Sequence, residues 1–482
     1  MASPVHPDDE LMTAAPAAEE GARPDDRIND SRLDTENTLK ADYVRTVRDA
    51  LEAGDKGLVY DLVEPLHAAD IADLLELLGR EERAFLAAAI TDLMTSDVIA
   101  ELNDWVRESM MEALPADAVA AIAEQLETDD AVQLIEDLDK EDQRAVLAEM
   151  DDEDRVAIET ALAYPEETAG RLMSRDVVAV PEHMTVGDLI DYLRDHNNLA
   201  HEFFEVFVVD HKHHPLGTCA LSWILTTPRH IALADVMKRD QTLIPVSLDQ
   251  EEVALMFQKY ALISAAVVDE EGRLVGQMTV DDIVHIIAEE AGEDVLLLSG
   301  AGDGDINEPI REAYAARVRW LVANLGTAVV GSAIIAFFGA AIEQLVALAV
   351  LMPIVASIGG NAGTQTMAVA VRAIAMNQLT RANTGRILWR ELRVAVLNGA
   401  TIAVLIGLAT GFLFTPMLGG VIALAMVVNI IVAGLAGVLV PVIFDRLKQD
   451  PAVASSVFVT MITDSMGFFA FLGLAVASGL AG

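Results

Sequence analysis

Cysteine and histidine are the scarce ligands of this 482-residue chain. Its one cysteine, Cys219, cannot build a disulfide framework or a Cys-rich metal site. All ten histidines lie at or before His285, so the last part of the chain has neither imidazole nor thiolate. That absence excludes an intramembrane zinc protease or a Ser–His protease there, and it disfavours soft metals.

Basic residues are also scarce, because 32 Lys and Arg stand against 76 Asp and Glu, a formal charge of −44. Such a charge excludes a nucleic-acid binder, which needs a basic face, and argues against docking on anionic lipid. It favours a cationic partner instead.

The acidic and the apolar residues lie in different parts of the chain. Although 53% of the residues are hydrophobic, only five of the acids lie after residue 320, with seven bases. Residues 1–320 therefore carry a charge of −46 and residues 321–482 carry +2. This division predicts an acidic soluble body followed by a membrane domain. Residues 1–38 show no signal peptide and are predicted to be a disordered acidic tail.

Five apolar stretches are long enough to span a bilayer. They cover about 320–339, 344–371, 392–414, 418–444 and 456–480. The bases of the membrane domain are predicted to lie in two alternate loops, one at Arg372–Glu391 and one at Asp445–Pro451. By the positive-inside rule, the N-terminal body is cytoplasmic and the C-terminus is outside.

Asp464 is the one acid predicted in the middle of a span, and it is a candidate ion-path residue. Thr460, Thr463 and Gly467 share its helical face. A carboxylate in the bilayer must face protein or water, and such residues commonly serve transport. The alternatives are a protonated, hydrogen-bonded carboxyl group or one paired with a base, but no base lies in the middle of a span. Oxygen ligands suit hard cations.

Span two contains Pro353 and the run Gly359–Gln365, in which three glycines weaken the helix. Asn361 and Gln365 are four residues apart, so both amides can face one side as pore or ligand groups. Span four repeats polar or small residues every four positions from Asn429 to Pro441. The alternative for the small residues is close helix packing.

The cytoplasmic body begins with a 12-residue repeat of apolar positions from Leu66 to Leu162. The repeat predicts short helices stacked in a right-handed superhelix. Acids often follow three residues after the apolar position, and first-turn placement at helix N-termini explains most of them. These acids are Asp117, Asp129, Glu141 and Glu153.

Residues 171–285 contain two copies of a strand–turn–strand–helix pattern and resemble a CBS-domain pair. The second copy ends in Gly276–Asp282, close to the nucleotide-binding G-x-x-T-x-x-D pattern, so Gly276, Thr279 and Asp281 are candidate ATP contacts. Thr279 and Asp282 also form a capping box for the next helix. The first copy lacks the Asp, so one site at most is expected. The histidines of the first hairpin, His211, His213 and His214, are interpreted as a solvated loop, with an adventitious metal site as the alternative.

An acidic run follows the CBS pair and leads into the membrane. Like charges four residues apart weaken a helix slightly. A second acidic surface within ~8 Å would cost about 2 kcal/mol per charge pair unless a divalent cation bridged the two. This predicts a ligand-linked two-state element. The run contains Glu289, Glu290, Glu293 and Asp294.

Taken together, the sequence resembles the MgtE family of bacterial magnesium channels over residues 40–482. The resemblance rests on four motifs, which are Pro353 with Gly359–Gln365, Asn429 through Pro441, Asp450-Pro451-Ala452 and Thr463-Asp464-Ser-Met-Gly467.

The expected fold is a multi-domain α-helical membrane protein with an N-terminal α-superhelix, an α/β CBS-domain pair, a connecting plug helix and five transmembrane helices. The expected domains are a tail at 1–38, an N domain at 39–164, the CBS pair at 165–285, the plug helix at 286–312 and the membrane domain at 313–482.

The resemblance implies a homodimer in the bacterial plasma membrane, with Asp464 holding hydrated Mg²⁺ in the pore. It also implies that cytoplasmic Mg²⁺ closes the pore by binding acidic interfaces of the body. The positions that match that sensor are Asp249, Glu251, Asp282, Glu290, Glu293 and Asp294, to which the run adds Glu289. Ala261 stands where the family pattern leads us to expect an acid.

Two other functions remain open on the sequence. One is a coupled divalent-cation exchanger in which Asp464 is a proton or sodium site. The other is a membrane-anchored CBS nucleotide sensor, although an anchor would not need Asp464 and its polar stripe. No catalytic residue is assigned.

Overall fold

The computed structural model of the chain describes residues 32–35, 37–112, 114–195, 203–299 and 307–481. The chain divides into two compact units, residues 1–159 and 160–482. Most of the predicted tail lies outside the described residues. Its last part forms a turn in which Leu33 is buried and the Thr38 hydroxyl donates to Asp34.

The first unit consists of short helices. They are α1 Ala41–Glu52, α2 Lys56–Val63, α3 Ala68–Glu76, α4 Arg80–Ala89, α5 Ser96–Ala100, α6 Asp104–Met111, α7 Ala116–Ala123, α8 Thr128–Glu136, α9 Lys140–Glu149 and α10 Asp152–Leu162, whose last residues lie beyond the unit boundary. The repeat positions fall where these helices end: Leu78 follows α3, Ile90 follows α4, and Leu138 follows α8, and all three are buried. The 12-residue period therefore corresponds to one helix together with the connection that follows it.

The acids of the repeat lie in the first turns of their helices. Asp117 opens α7, Asp129 opens α8, Glu141 opens α9 and Glu153 opens α10. Because the N-terminal amide groups of a helix attract negative charge, this placement stabilises each helix. The interpretation of these acids as helix-start residues is confirmed.

Two arginines, separated by twice the 12-residue spacing, bind carbonyl groups at the end of a preceding helix. The guanidinium of Arg83 donates to the carbonyls of Leu75 and Leu78, and that of Arg107 donates to Leu102. Both arginines are buried. Their hydrogen bonds satisfy helix C-termini in an interior that water does not reach.

The CBS pair consists of two three-stranded sheets of the same topology. The first contains β1 Ala179–Pro181, β2 Glu205–Val209 and β3 Pro215–Ala220, and the second contains β4 Leu243–Pro245, β5 Ser264–Val268 and β6 Leu274–Thr279. In each sheet the first strand pairs in parallel with the second, which pairs antiparallel with the third. The predicted internal duplication is confirmed. The helices of this region are α11 Ala169–Leu172, α12 Val186–Asp195, α13 Leu221–Thr226, α14 Leu233–Val236 and α15 Gln250–Tyr260.

Two similar segments, Leu172-Met-Ser-Arg-Asp176 and Val236-Met-Lys-Arg-Asp240, pack crosswise on the sheets. Ser174, from the first copy, bridges to Gln277 of β6, while Lys238, from the second copy, bridges to Thr218 of β3. Glycine is required at both crossings: a Cβ at Gly276 would lie 2.6 Å from the sulfur of Met173, and a Cβ at Gly217 would lie 2.7 Å from the carbonyl oxygen of Lys238. The two segments are thus similar because each packs at an equivalent position on the sheet of the other copy.

Helix α16, Val280–Ser299, continues directly from β6. It is followed by α17 Ile310–Phe337, the short α18 Gly339–Gln344, α19 Ala347–Ala375, α20 Thr384–Leu413, α21 Pro416–Arg446 and α22 Pro451–Ala477. Within the described residues, five of these helices are long and apolar enough to cross a membrane, which confirms the predicted number.

The start of α20 corrects one expectation about the basic residues. Arg386 and Arg390 fall in the loop that was predicted to extend to Glu391, but α20 already begins at Thr384. Glu391 is buried inside this helix, and Arg390 pairs with it at 2.5 Å. The amide of Asn383 binds the carbonyl of Gln378 and the backbone of Thr380, and these bonds hold a tight turn just before the helix. The connection is therefore short.

Candidate functional site: an intramembrane carboxylate and an acidic cytoplasmic cluster

Asp464 lies at the midpoint of α22, thirteen residues from Pro451 and thirteen from Ala477. At 1.5 Å per residue, each end of the helix is ~20 Å away, so the carboxylate lies near the middle of the bilayer. The side chain is half-buried. Among the described residues no side chain donates a hydrogen bond to it or forms an ion pair with it. It is therefore available to a cation from the open side.

The two threonines predicted beside Asp464 do not share its surroundings. Thr463 is fully buried, its hydroxyl donates to the carbonyl oxygen of Thr460 at 3.0 Å, and its methyl group faces Gly363 of α19. Thr463 thus packs between two helices, whereas Asp464, about 100° further round α22, remains half-exposed. Thr460 is half-buried.

The amides of span two face away from the interior of the chain. Asn361 and Gln365 are both exposed, while Gly359 and Gly363 on the opposite side of α19 are buried. A Cβ at Gly363 would lie 2.7 Å from Val459 of α22. The glycines therefore serve close helix packing, as the packing alternative expected, and they leave the two amides on the outer surface.

Two acids predicted in the sensor come together on α16. The Gln250 amide donates to the Glu290 carboxylate at 2.5 Å, and one turn further along the helix lies Glu293. Partial desolvation of the carboxylate, together with the negative charges of Glu290, Glu167 and Asp450, raises the pKa of Glu293 to about 7. The pKa of Glu290 is also raised, chiefly by burial. Folding thus brings carboxylates from distant segments close enough to repel one another.

The other predicted sensor acids have local roles at helix starts. The Asp249 carboxylate accepts from the backbone of Glu251 at the start of α15, although its charge also contributes to the raised pKa of Glu290. The Asp282 carboxylate accepts from the Thr279 hydroxyl at 2.6 Å, as the capping box predicts. It lies eight residues before Glu290, ~12 Å along the helix.

The carboxylates of Glu167, Glu290, Glu293 and Asp450 form an acidic cluster. Two other predicted sensor acids add little to it. Glu289 is exposed, and its charge raises the pKa of Glu293 least among the neighbouring acids. The side chain of Asp294 lies outside the described residues. Among the side chains that the structure describes, no three His, Cys, Asp or Glu residues lie close enough to hold a metal ion.

Sequence reasoning missed Glu167 and Asp450 as members of this acidic cluster. Asp450 was noted only as part of a motif, and its carboxylate caps α22 by accepting from Ala452 at 2.7 Å. Glu167 has a left-handed backbone, with φ of 58°, and its carbonyl accepts from Gln250 at 2.9 Å. No local sequence pattern connects these residues to α16, and only the fold shows that they lie near it.

A cleft of about 280 Å³ lies in the CBS pair. Arg175, Tyr192, His213 and Gly276 are among the residues that line it. The Nε atom of Arg175 is buried and makes no hydrogen bond within the described residues. Of the predicted nucleotide contacts, Gly276 alone lines the cleft, because Thr279 is engaged by Asp282 and Asp281 is exposed at the start of α16.

The histidines of the first hairpin have ordinary structural surroundings. The His214 ring lies 3.0 Å from the Asp210 carboxylate, and this contact holds the pKa of Asp210 well below its usual range. His213 has a left-handed backbone and accepts from the Leu274 amide through its carbonyl oxygen. The loop interpretation agrees with this geometry.

Comparisons with known proteins agree with the order of these domains. A family model described as the MgtE intracellular N domain matches residues 66–167, and the CBS-domain model matches 169–220 and 233–289. The MgtE model, described as a divalent cation transporter, matches 352–474.

Individual relatives cover most of the same region. The chain is 33% identical to the magnesium transporter MgtE of Thermus thermophilus over 66% of this chain and 71% of that protein. It is 31% identical to the magnesium transporter MgtE of Bacillus subtilis over 67% and 72%. A crystal structure of the cytosolic domain of the Mg²⁺ channel MgtE in complex with ATP aligns at 29% identity and a TM-score of 0.46, covering 50% of this chain and 99% of that one.

Proposed function

Because the chain belongs to the MgtE family of magnesium transporters, we propose that it is a homodimeric channel for Mg²⁺ uptake, gated by cytoplasmic Mg²⁺. The observation that carries the proposal is Asp464, a carboxylate without a protein partner among the described residues at the middle of a spanning helix. A lone carboxylate in hydrocarbon is costly, so it must face water or another protein surface.

The exposed polar groups of the membrane domain support the dimer. Asn361 and Gln365 lie on the outer surface of α19, and neither amide can face lipid without losing its hydrogen bonds. A second copy of the chain, placed against this surface, would enclose a polar path between the two membrane domains. Two Asp464 carboxylates would then face the same path.

The chemistry of this path suits a hydrated hard cation. Mg²⁺ releases its water slowly and is held through its hydration shell by carboxylates and amide oxygens. A ring of two carboxylates attracts the divalent ion, while the absence of direct protein ligands allows it to leave again. Neither imidazole nor thiolate occurs after residue 285 to retain a softer metal.

Gating follows from the acidic cluster at α16. Glu290 and Glu293 come near Glu167 and Asp450, and the pKa of Glu293, at about 7, reflects burial together with their repulsion. Asp450 caps the start of the helix that carries Asp464. A divalent cation bound by these carboxylates would remove the repulsion and draw α16 towards the cytoplasmic end of α22, closing the path.

The test of the ion path is Mg²⁺ flux into liposomes that contain the purified full-length protein and a Mg²⁺-sensitive dye. Asp464→Asn is expected to abolish flux, with its helix content and thermal unfolding unchanged. Asp445→Asn, at the exposed end of α21, is the matched control and should transport like the unmodified protein. Flux at the unmodified rate in the Asp464→Asn protein would reject the assignment.

A channel and a coupled carrier differ in single-molecule behaviour. Unitary current steps in a planar bilayer, with a reversal potential set by the Mg²⁺ gradient, are expected for the channel. Flux that stops when the proton gradient is collapsed, and gives no current steps, would establish the exchanger instead.

The cleft of the CBS pair favours a second ligand, an adenine nucleotide. Its volume of about 280 Å³, the ring of Tyr192 and the unpaired guanidinium nitrogen of Arg175 suit a base and its phosphates. Equilibrium binding of ATP to the full-length protein should be weakened by Arg175→Gln. Equal ATP affinity in the two proteins would remove this cleft as the site.

A further inference from the structure

Asn429 is a fully buried amide in the membrane part of α21. Its Nδ2 atom donates to the carbonyl oxygen of Val355 in α19 at 3.0 Å. Its Oδ1 atom is buried and accepts no hydrogen bond from the residues that the structure describes. A buried amide with one unpaired atom is costly in an apolar bundle, so ordinary packing does not explain this residue.

Two glycines on two other helices make room for this one side chain. A Cβ at Gly359 of α19 would overlap the Asn429 amide nitrogen. A Cβ at Gly467 of α22 would lie 2.7 Å from the same atom, closer than real side chains approach. The amide therefore fills a gap that only glycine leaves on both sides, and it fixes the separation of α19 and α22.

The neighbours of these glycines are the proposed ion-path residues. Gly467 follows Asp464 by three residues, and Gly359 precedes Asn361 by two. Helices are stiff over one turn, so a displacement at either glycine moves the adjacent polar group by a similar amount. The position of the Asn429 amide thus affects both Asn361 on α19 and Asp464 on α22.

We infer that Asn429 is a positioning residue for ion permeation. Its side chain, wedged between Gly359 and Gly467 and tied to the Val355 carbonyl, sets where Asp464 and Asn361 stand relative to each other. The inference rests on the proposed function of Asp464.

The experiment compares matched alanine substitutions in the full-length protein in liposomes. Gly359→Ala forces a methyl group into the amide, whereas Gly360→Ala, one residue further on, meets no atom within 4 Å. Gly359→Ala is expected to raise the Mg²⁺ concentration for half-maximal flux by about tenfold or more, or to abolish flux, since a 1 Å misplacement of a functional group can cost up to about a hundredfold. Gly360→Ala should leave it unchanged.

The second pair tests the glycine on the other helix. Gly467→Ala should behave like Gly359→Ala, and its control is Gly473→Ala, whose nearest neighbour is an ordinary contact with Phe338 at 3.9 Å.

Rescue distinguishes positioning from a general loss of folding. Asn429→Ala removes the obstacle, so the double variant Gly359→Ala with Asn429→Ala should recover the half-saturating concentration of Asn429→Ala alone. A merely structural role would change the amount of folded protein, measured by size-exclusion chromatography, and leave the half-saturating Mg²⁺ concentration per folded molecule unchanged.

Three outcomes would overturn the inference. The first is equal behaviour of Gly359→Ala and Gly360→Ala. The second is a double variant that remains as impaired as Gly359→Ala, whether in flux or in folded amount, because the clash with the amide would then not be the cause. The third is a half-saturating concentration that is the same in all variants. None of these results depends on Asp464→Asn, whose retention of flux would reject the proposed function itself.

Discussion

Glu293→Gln tests whether repulsion among the carboxylates at α16 is the device that magnesium relieves. The substitution removes one charge and keeps the shape of the side chain. Four acids raise the pKa of Glu293: in decreasing order they are Glu290, Glu167, Asp450 and Glu289. Partial desolvation of the carboxylate raises its pKa more than any one of these charges. The side chain nevertheless remains largely exposed, so solvent reduces each repulsion to a few tenths of a kcal/mol, and the total is about 1 kcal/mol.

The expected result is a higher unfolding temperature without magnesium. For the unit of residues 160–482, about 1 kcal/mol corresponds to a rise of roughly 1–2 °C. Circular dichroism at 222 nm on the detergent-solubilised protein with EDTA would measure it. Saturating Mg²⁺ should then stabilise the unmodified protein more than Glu293→Gln, because the variant offers the cation one carboxylate fewer.

The pH dependence gives an independent check on the sign. A carboxyl group whose folded-state pKa lies above its ordinary value destabilises the fold when it is charged. The destabilisation is complete above pH of about 7 and fades as pH falls from there towards the ordinary value of 4.5. The advantage of Glu293→Gln should therefore be largest at pH 8 and less than half as large at pH 5.5.

The control is Glu270→Gln, the same change at an exposed position in the second hairpin of the CBS pair. It should alter neither the unfolding temperature with EDTA nor the response to Mg²⁺. The reasoning is refuted if Glu293→Gln matches this control, or if its effect increases as the pH falls.

Three further predictions concern stability. Gly276→Ala should destabilise the CBS pair by about 1–3 kcal/mol, because its Cβ would meet Met173 and the Ser174 carbonyl. Gly292→Ala meets no atom within 4 Å and should stabilise α16 by about 0.5–1 kcal/mol, as measured by thermal unfolding. Ala261→Gly should raise the unfolding free energy by about 0.5–1 kcal/mol, since Ala261 ends α15 with a φ of 50° that glycine adopts without strain; a loss of stability would contradict this. Arg107→Met should lower the free energy of unfolding, measured with denaturant, by about 3–5 kcal/mol. The substitution leaves the largely buried Asp137 carboxylate, which lies 2.7 Å from Arg107, without its cation. Arg45→Met, at an exposed ion pair, should cost less than about 1 kcal/mol.

Features that depend on local pattern could be predicted from the sequence. The five spans follow from hydrophobic length alone, and their number is confirmed. The 12-residue repeat and the doubled strand pattern each reflect a unit that packs on its neighbours, so their periods survive in the sequence. The capping pair of Thr279 and Asp282 needs three residues of context and was predicted as such.

Features that depend on long-range packing could not be predicted in the same way. Glu167 and Asp450 are 126 and 157 residues from Glu293, and no period connects them. Thr463 and Asp464 are adjacent, and helical periodicity placed both on one polar stripe. Which of them faces the interior is decided by Gly363 on another helix, which accepts the methyl group of Thr463 and leaves Asp464 outside.

The positions of the glycines in the membrane domain therefore account for where its polar groups lie. Gly363 lets α19 approach α22 closely, while Gly359 and Gly467 make room for the Asn429 amide of α21, so the inner faces of these helices are tightly packed. Asn361 and Asp464 are consequently left at the outer surface, where hydrocarbon would be a costly neighbour. We therefore expect the polar surface of one copy to face that of a second, as in the proposed dimer, because a polar path between two copies would spare these groups contact with hydrocarbon.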